Sequence, residues 1–119
     1  MYFTHKIEKK GNVQIIRLSG EIIDRNQTFE MMDAINELVA KNHIHFVIDL
    51  ENLKYLNSSG LTVLIQTLTK ARKAGGEAVI SNVSKRVNEL LVITKLNTVF
   101  TVADSVEDAI AKLDKLVSN

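Results

Sequence analysis

No cysteine and no proline occur anywhere in this chain. Without thiols it can have neither disulfides nor thiolate metal sites, so its core is held by packing alone, which suits a reducing cytosol. No stretch approaches the ~20 apolar residues of a membrane-spanning helix. Met1-Tyr2-Phe3-Thr4-His5-Lys6 also lacks the long apolar run of a signal peptide, and a cytoplasmic protein is expected. A surplus of charge is missing too. Fifteen basic side chains meet fourteen acidic ones, which removes any overall electrostatic pull toward nucleic acid or an anionic bilayer.

What is present suffices for one core. With 119 residues, 45% of them apolar and 24% charged, the chain has the length and balance of one globular domain spanning 1–119. No linker, low-complexity tract or internal repeat divides it.

Tyr2 to Lys9 and Val13 to Ser19 are rich in residues that suit a pleated surface, and Lys10-Gly11-Asn12 between them predicts a β-hairpin. Gly20-Glu21-Ile22-Ile23-Asp24 then makes a short extended passage to a helix beginning near Asn26. In that helix Phe29, Met32, Ile35, Leu38 and Val39 recur at spacings of three and four, a stripe built for the core. Ile44 to Leu50 is almost continuously apolar and β-branched, as expected of a central strand covered on both faces. Glu51 to Asn57 is expected to be a connection.

Ser58-Ser59-Gly60 opens a second helix with a stripe of Leu61, Leu64, Ile65, Leu68 and Ala71. Gly75-Gly76 closes it, and Lys70, Arg72 and Lys73 in its last turns complement the helix dipole. Ala78-Val79-Ile80 predicts a buried strand, and Ser84 caps a helix through Val87, Leu90, Leu91 and Ile93. A short strand from Val99 to Val102 follows, then a last helix started by Asp104-Ser105 and carrying Val106, Ala109, Ile110, Leu113 and Leu116. The order ββαβαβαβα implies an α/β fold with four helices. Its sheet is mixed, because right-handed crossovers pair strands in parallel while the opening hairpin is antiparallel.

Chemistry is sparse. The three histidines are His5, His43 and His45, and no carboxylate or third His stands at a recognisable metal-ligand spacing from the last two. Solvated or hydrogen-bonded imidazoles are expected, with no metal and no cofactor. Gly75-Gly76 follows a helix and precedes a strand, the reverse of a phosphate-binding loop. Ser58 and Ser59 have no Gly two residues before them and so form no nucleophile elbow. An enzyme is not expected.

Asn57-Ser58-Ser59-Gly60 remains. The plainer reading is a helix cap, commonly worth about 1 kcal/mol. The functional reading is that a helix N-terminus, with exposed amides and partial positive charge, tolerates a phosphate on one of these hydroxyls without unfolding.

Phe46-Val47-Ile48-Asp49-Leu50, followed by Leu53-Lys54-Tyr55-Leu56-Asn57-Ser58-Ser59-Gly60-Leu61, resembles the signature of the STAS domain, the family of bacterial anti-sigma-factor antagonists. Gly20 to Asp24, Ala74 to Ile80 and Ser105 to Ala109 are similar to other parts of the family pattern, so the resemblance spans essentially the whole chain. It implies a non-enzymatic domain that binds an anti-sigma factor, often itself a serine kinase, and so frees a sigma factor for transcription.

The resemblance further implies that the kinase phosphorylates Ser58 and that a phosphatase of the PP2C kind restores it. The partner surface would comprise Asp24, Asn57, Ser58, Ser59, Gly60 and Leu61. Phosphate brings about −1.5 to −2 charges into a surface that must pack against a partner, so the unmodified form is the expected binder. The family pattern commonly has Asp where this chain has Asn57, which keeps the cap and drops the charge. Asp49 is read as a strand-end hydrogen-bonding residue. An alternative is a soluble regulatory subunit of a membrane lipid-transport complex, since STAS-like domains occur there as well.

Overall fold

The computed structural model describes residues 2–117. Its strands are β1 (Phe3–Lys10), β2 (Val13–Ile22), β3 (His45–Leu56), β4 (Glu77–Ser81) and β5 (Thr101–Ala103). Its α-helices are α1 (Phe29–Ala40), α2 (Ser58–Lys73), α3 (Lys85–Ile93) and α4 (Val106–Val117). The expected order ββαβαβαβα is the observed one. The strands form one mixed sheet in the order β1-β2-β3-β4-β5, with β1 antiparallel to β2 and every later pair parallel.

β3 lies at the centre, with Ile48 opposite Ile16 on β2 and Ile80 on β4. Alternation along β3 divides the core. Phe46, Ile48 and Leu50 join Met31 and Ile35 of α1, Leu61, Leu64 and Leu68 of α2 and Leu91 of α3 on one face. Val47 points the other way, toward Val106, Ala109 and Leu113 of α4. A strand sandwiched between two helical layers must be apolar at successive positions, which is why Phe46 to Leu50 shows no polar alternation until Asp49.

Four local expectations are revised. First, β3 continues through Glu51–Leu56 instead of ending at Leu50, because the end of β2 pairs with it from Ser19↔Asn52 to Ile22↔Leu56. Opposite the Gly20–Glu21 step, β3 carries one extra residue between Leu53 and Tyr55, a bulge that spaces the buried Leu53 and Leu56 by three and hides the strand's two-residue period.

Second, α1 turns its stripe slightly: Met31 and Ile35 are fully buried, continuing from Thr28 in the 3-10 turn Arg25–Thr28, whereas Phe29 is 55% exposed. Third, the last strand is Thr101–Ala103 and not Val99 to Val102, because Leu96–Thr98 forms a 3-10 turn that drops Phe100 into the core. Fourth, Ile93 and Leu116 are exposed near the ends of their helices instead of completing the core stripes.

α2 ends as expected. Gly75 adopts φ +91, a left-handed conformation that an L side chain resists, and Gly76 donates its N–H to the Ala71 carbonyl at 2.7 Å. The chain then re-enters the sheet at Glu77.

Candidate functional site

β2 and β3 run side by side and end together, and that ending builds the site. Beyond Ile22 the chain turns at Asp24, whose side chain accepts from the Asn26 N–H at 2.9 Å and caps the 3-10 turn. Gln27 closes the capping box by accepting from the N–H groups of Ile23 at 2.8 Å and Asp24 at 3.0 Å. Asp24 is exposed, and turn hydrogen bonding accounts for its present contacts.

Beyond Leu56, Asn57 is extended and becomes the N-cap of α2. Its side-chain oxygen accepts from the N–H of Ser59 at 2.9 Å and of Gly60 at 3.4 Å. Its other functional group works in the opposite direction: the side-chain amide donates to the Ile23 carbonyl at 3.0 Å, while the Asn57 backbone N–H donates to the Ile22 carbonyl at 3.2 Å. Asp24 and the Asn57 cap, 33 positions apart in sequence number, therefore belong to one corner of the molecule.

Gly60 is where α2 meets that corner. A Cβ there would stand 2.7 Å from Cβ of Leu56 and 3.2 Å from Cβ of Ile22, so the helix approaches the strand ends only because the side chain is absent. The packing orients the first turn. Gly60 and Leu61 face inward, Leu61 being 5% exposed within the core, while Ser58 is exposed and Ser59 half-buried. Of the residues expected on a partner surface, Asp24 and Ser58 are exposed and Asn57 and Ser59 half-buried, whereas Gly60 and Leu61 are buried beneath them.

The backbone carbonyl of Ser58 accepts from the Thr62 hydroxyl at 2.9 Å. Its own hydroxyl has no hydrogen-bond partner among the described residues, and no base is poised to activate it. The arrangement offers an accessible acceptor for a transferred group at the positive end of a 16-residue helix.

A groove of about 360 Å³ opens beside it, lined by Tyr55, Leu56, Asn57 and Ser58 together with Arg86, Val87, Glu89, Leu90 and Ile93 of α3. Tyr55 is 36% exposed and Ile93 77% exposed, so the groove has apolar walls open to solvent. Arg86 holds its guanidinium carbon 5.3 Å from the centre of the Tyr55 ring. Sequence reasoning missed this α3 contribution because Arg86 lies 28 positions after Ser58 and only the parallel crossover brings them together. The exposed apolar Ile93 on an otherwise amphipathic helix is its one trace in the sequence.

Asp49 is separate from that corner. It is 2% exposed and accepts from Arg17 Nη1 at 2.8 Å, Asn82 Nδ2 at 2.8 Å, the Ser81 hydroxyl at 3.2 Å and the Glu51 N–H at 3.3 Å. These bonds support the structural reading of Asp49. Burial works against the Arg17 charge, but hydrogen bonds and attraction from Glu8 and then Asp49 outweigh it and hold the guanidinium above its ordinary value.

Among the described residues no three His, Asp, Glu or Cys are grouped so as to hold a metal ion. His45 departs from expectation in one respect: its Nδ1 is buried without a hydrogen-bond partner. No helix among these residues is long and apolar enough to cross a membrane.

Residues 5–109 match the STAS domain. The chain belongs to the STAS domain family. This STAS domain is 28% identical over 109 residues to the anti-sigma F factor antagonist of Paenibacillus polymyxa, an alignment covering 92% of this chain and 93% of the relative. It is 34% identical over 106 residues to BtrV of Bordetella bronchiseptica, named as an anti-sigma factor antagonist, covering 88% and 90% of the two chains.

Among solved structures it is similar to unphosphorylated SpoIIAA, an anti-sigma factor antagonist, with TM-score 0.73, 16% identity and coverage of 95% and 97%. The phosphorylated form of Bacillus SpoIIAA gives TM-score 0.72, 18% identity and coverage of 92% and 98%. At such identity these two likenesses concern the fold.

Proposed function

We propose that this STAS domain is an anti-sigma-factor antagonist. Unphosphorylated, it binds an anti-sigma factor that is also a serine kinase; phosphorylation of Ser58 ends the interaction, and a PP2C-like phosphatase restores it. Sigma-factor-dependent transcription would thereby be regulated by a cytoplasmic binding module that has no catalytic role of its own.

The observation that carries this reading is the exposed Ser58 hydroxyl at the first residue of α2, beside an open groove with apolar walls. In the transfer, Ser58 Oγ forms a bond to the γ-phosphorus of ATP as the bond from that phosphorus to ADP breaks. The hydroxyl proton passes to a base of the kinase, because none stands ready among the described residues. Asn57 caps the helix without adding a carboxylate beside the incoming phosphate, so the modification meets no like charge from the cap. On the groove, phosphate adds desolvation cost and repulsion to any partner that must pack there.

The Paenibacillus polymyxa and Bordetella bronchiseptica relatives are each named as anti-sigma factor antagonists, which favours this reading over a regulatory subunit of a lipid-transport complex. The test is direct. Incubated with its cognate kinase and ATP, the protein gains one phosphate that mass spectrometry maps to Ser58; Ser58→Asp loses partner binding and Ser58→Ala keeps it. Modification confined to another residue, together with normal binding by Ser58→Asp, would refute the mechanism.

A further inference from the structure

We propose that Arg86 is the counter-ion of phosphorylated Ser58, and that the resulting ion pair bridges the groove and closes it to the partner. The inference rests on Ser58 being the modified residue, and it assigns a regulatory role to a side chain on a different element.

Ser58 from α2 and Arg86 from α3 line the same groove. Arg86 is exposed and takes part in none of the ion pairs formed among the described residues. Even Glu89, one helical turn further along α3 and a lining residue itself, does not pair with it. The guanidinium rests over the Tyr55 ring, a contact that keeps it at the groove without satisfying its hydrogen-bond donors. A charged fork with five N–H donors, lining the same groove as a hydroxyl that becomes a dianion with three acceptor oxygens, is suited to bidentate phosphate binding.

The charged and titratable groups facing such a phosphate are Arg86 and Glu89 from α3 and Tyr55 from β3. Asn57, from the cap, is neutral. Among the described residues Arg86 is therefore the one cation of the groove lining, and Glu89 opposes it. Pairing draws Arg86 off Tyr55 and across the opening, placing two desolvation-costly groups between a partner and the apolar surface of Leu90 and Ile93. Phosphorylation would then act by covering a docking surface as well as by repulsion.

The test installs phosphoserine at position 58 during translation of the full chain, so that no kinase is required, and follows its second ionisation by phosphorus NMR. The phosphate of the otherwise unaltered protein should titrate below its ordinary value near ~6. Arg86→Gln should raise that midpoint by about half a unit, Arg86→Lys should restore part of the shift, and Glu89→Gln should move the midpoint in the opposite direction from Arg86→Gln.

Because Arg86 and Glu89 are both exposed, these variants should retain the amide spectrum of the folded chain. Superimposable titrations for the protein with and without Arg86, both folded, would overturn the proposal. An Arg86-dependent midpoint combined with kinase modification at some other residue would instead leave the ion pair standing and remove Ser58 as the physiological target.

Discussion

The side-chain amide of Asn57 donates to the carbonyl of Ile23 at 3.0 Å while its oxygen caps the first turn of α2. One side chain thus ties the helix to the exit from β2, and an aspartate could do only half of this because an ionised carboxylate accepts but does not donate. Asn57→Ala should cost about 2 kcal/mol, from the lost cap and the lost bond to Ile23 together. Asn57→Asp should fall between wild type and Ala, since it keeps the cap and gains from the helix dipole. Urea denaturation of the three proteins gives the order; an Ala variant as stable as wild type would show that Asn57 does not anchor the corner.

Gly60 offers a second, independent check on the same corner. The Cβ introduced by Gly60→Ala would meet Leu56 and Ile22, both 2% exposed or less and locked in the core, so neither can swing away. Overpacking of this kind costs about 1–3 kcal/mol even though alanine favours helices by up to about 1 kcal/mol. The variant should therefore melt lower than wild type, and a raised melting temperature would mean that the strand ends yield. If α2 shifts outward instead, Ser58 moves with it and partner binding should weaken along with stability.

The element order was legible because the governing signals are local: the apolar run Phe46 to Leu50, the helical stripe from Leu61 to Ala71, and the caps at Asn57, Ser84 and Gly75. Ser58 could be placed at a helix mouth for the same reason. What could not be read is what tertiary pairing decides. The second half of β3 exists because β2 offers it a partner, and its solvent-facing Glu51, Asn52, Lys54 and Tyr55 carry no apolar period of their own. Leu61 was expected both in the apolar stripe of α2 and, with its neighbours, on the partner surface; its 5% exposure agrees with the stripe and not with the surface. The groove wall supplied by Arg86, Leu90 and Ile93 depends on where α3 lands and has no signature near Ser58.

On the opposite face, Arg17 and Asp49 join β2 to β3 through a 2.8 Å ion pair in which Asp49 is buried and the Arg17 side chain is 37% exposed. Removing the cation leaves a buried carboxylate with Ser81, Asn82 and the Glu51 N–H as its remaining donors. Water reaches the arginine, so the cost of Arg17→Met should be about 2 kcal/mol, below the figure for a fully buried pair. The folded guanidinium is held above its ordinary value, so its contribution is complete at every pH below the unfolded arginine value and declines only as pH rises through the folded one. The difference between wild type and Arg17→Met should accordingly stay constant from about pH 6 to about pH 9. A difference that vanished within that window would assign the stabilisation to a different titrating group.

Ser58→Asp separates a switch from a lesion. The position is the first residue of α2, exposed and free of hydrogen bonds from its hydroxyl, so a carboxylate there clashes with nothing and meets the positive end of the helix. Stability should rise by about 0.5 kcal/mol at low ionic strength, and the gain should shrink as salt screens the dipole. Partner binding should be lost in the same protein. Thermal melts at two salt concentrations, run beside a binding assay, distinguish the cases: loss of binding with the fold intact is what a phosphorylation switch requires, whereas loss of both would mean that the aspartate disrupts the helix start and reports nothing about regulation.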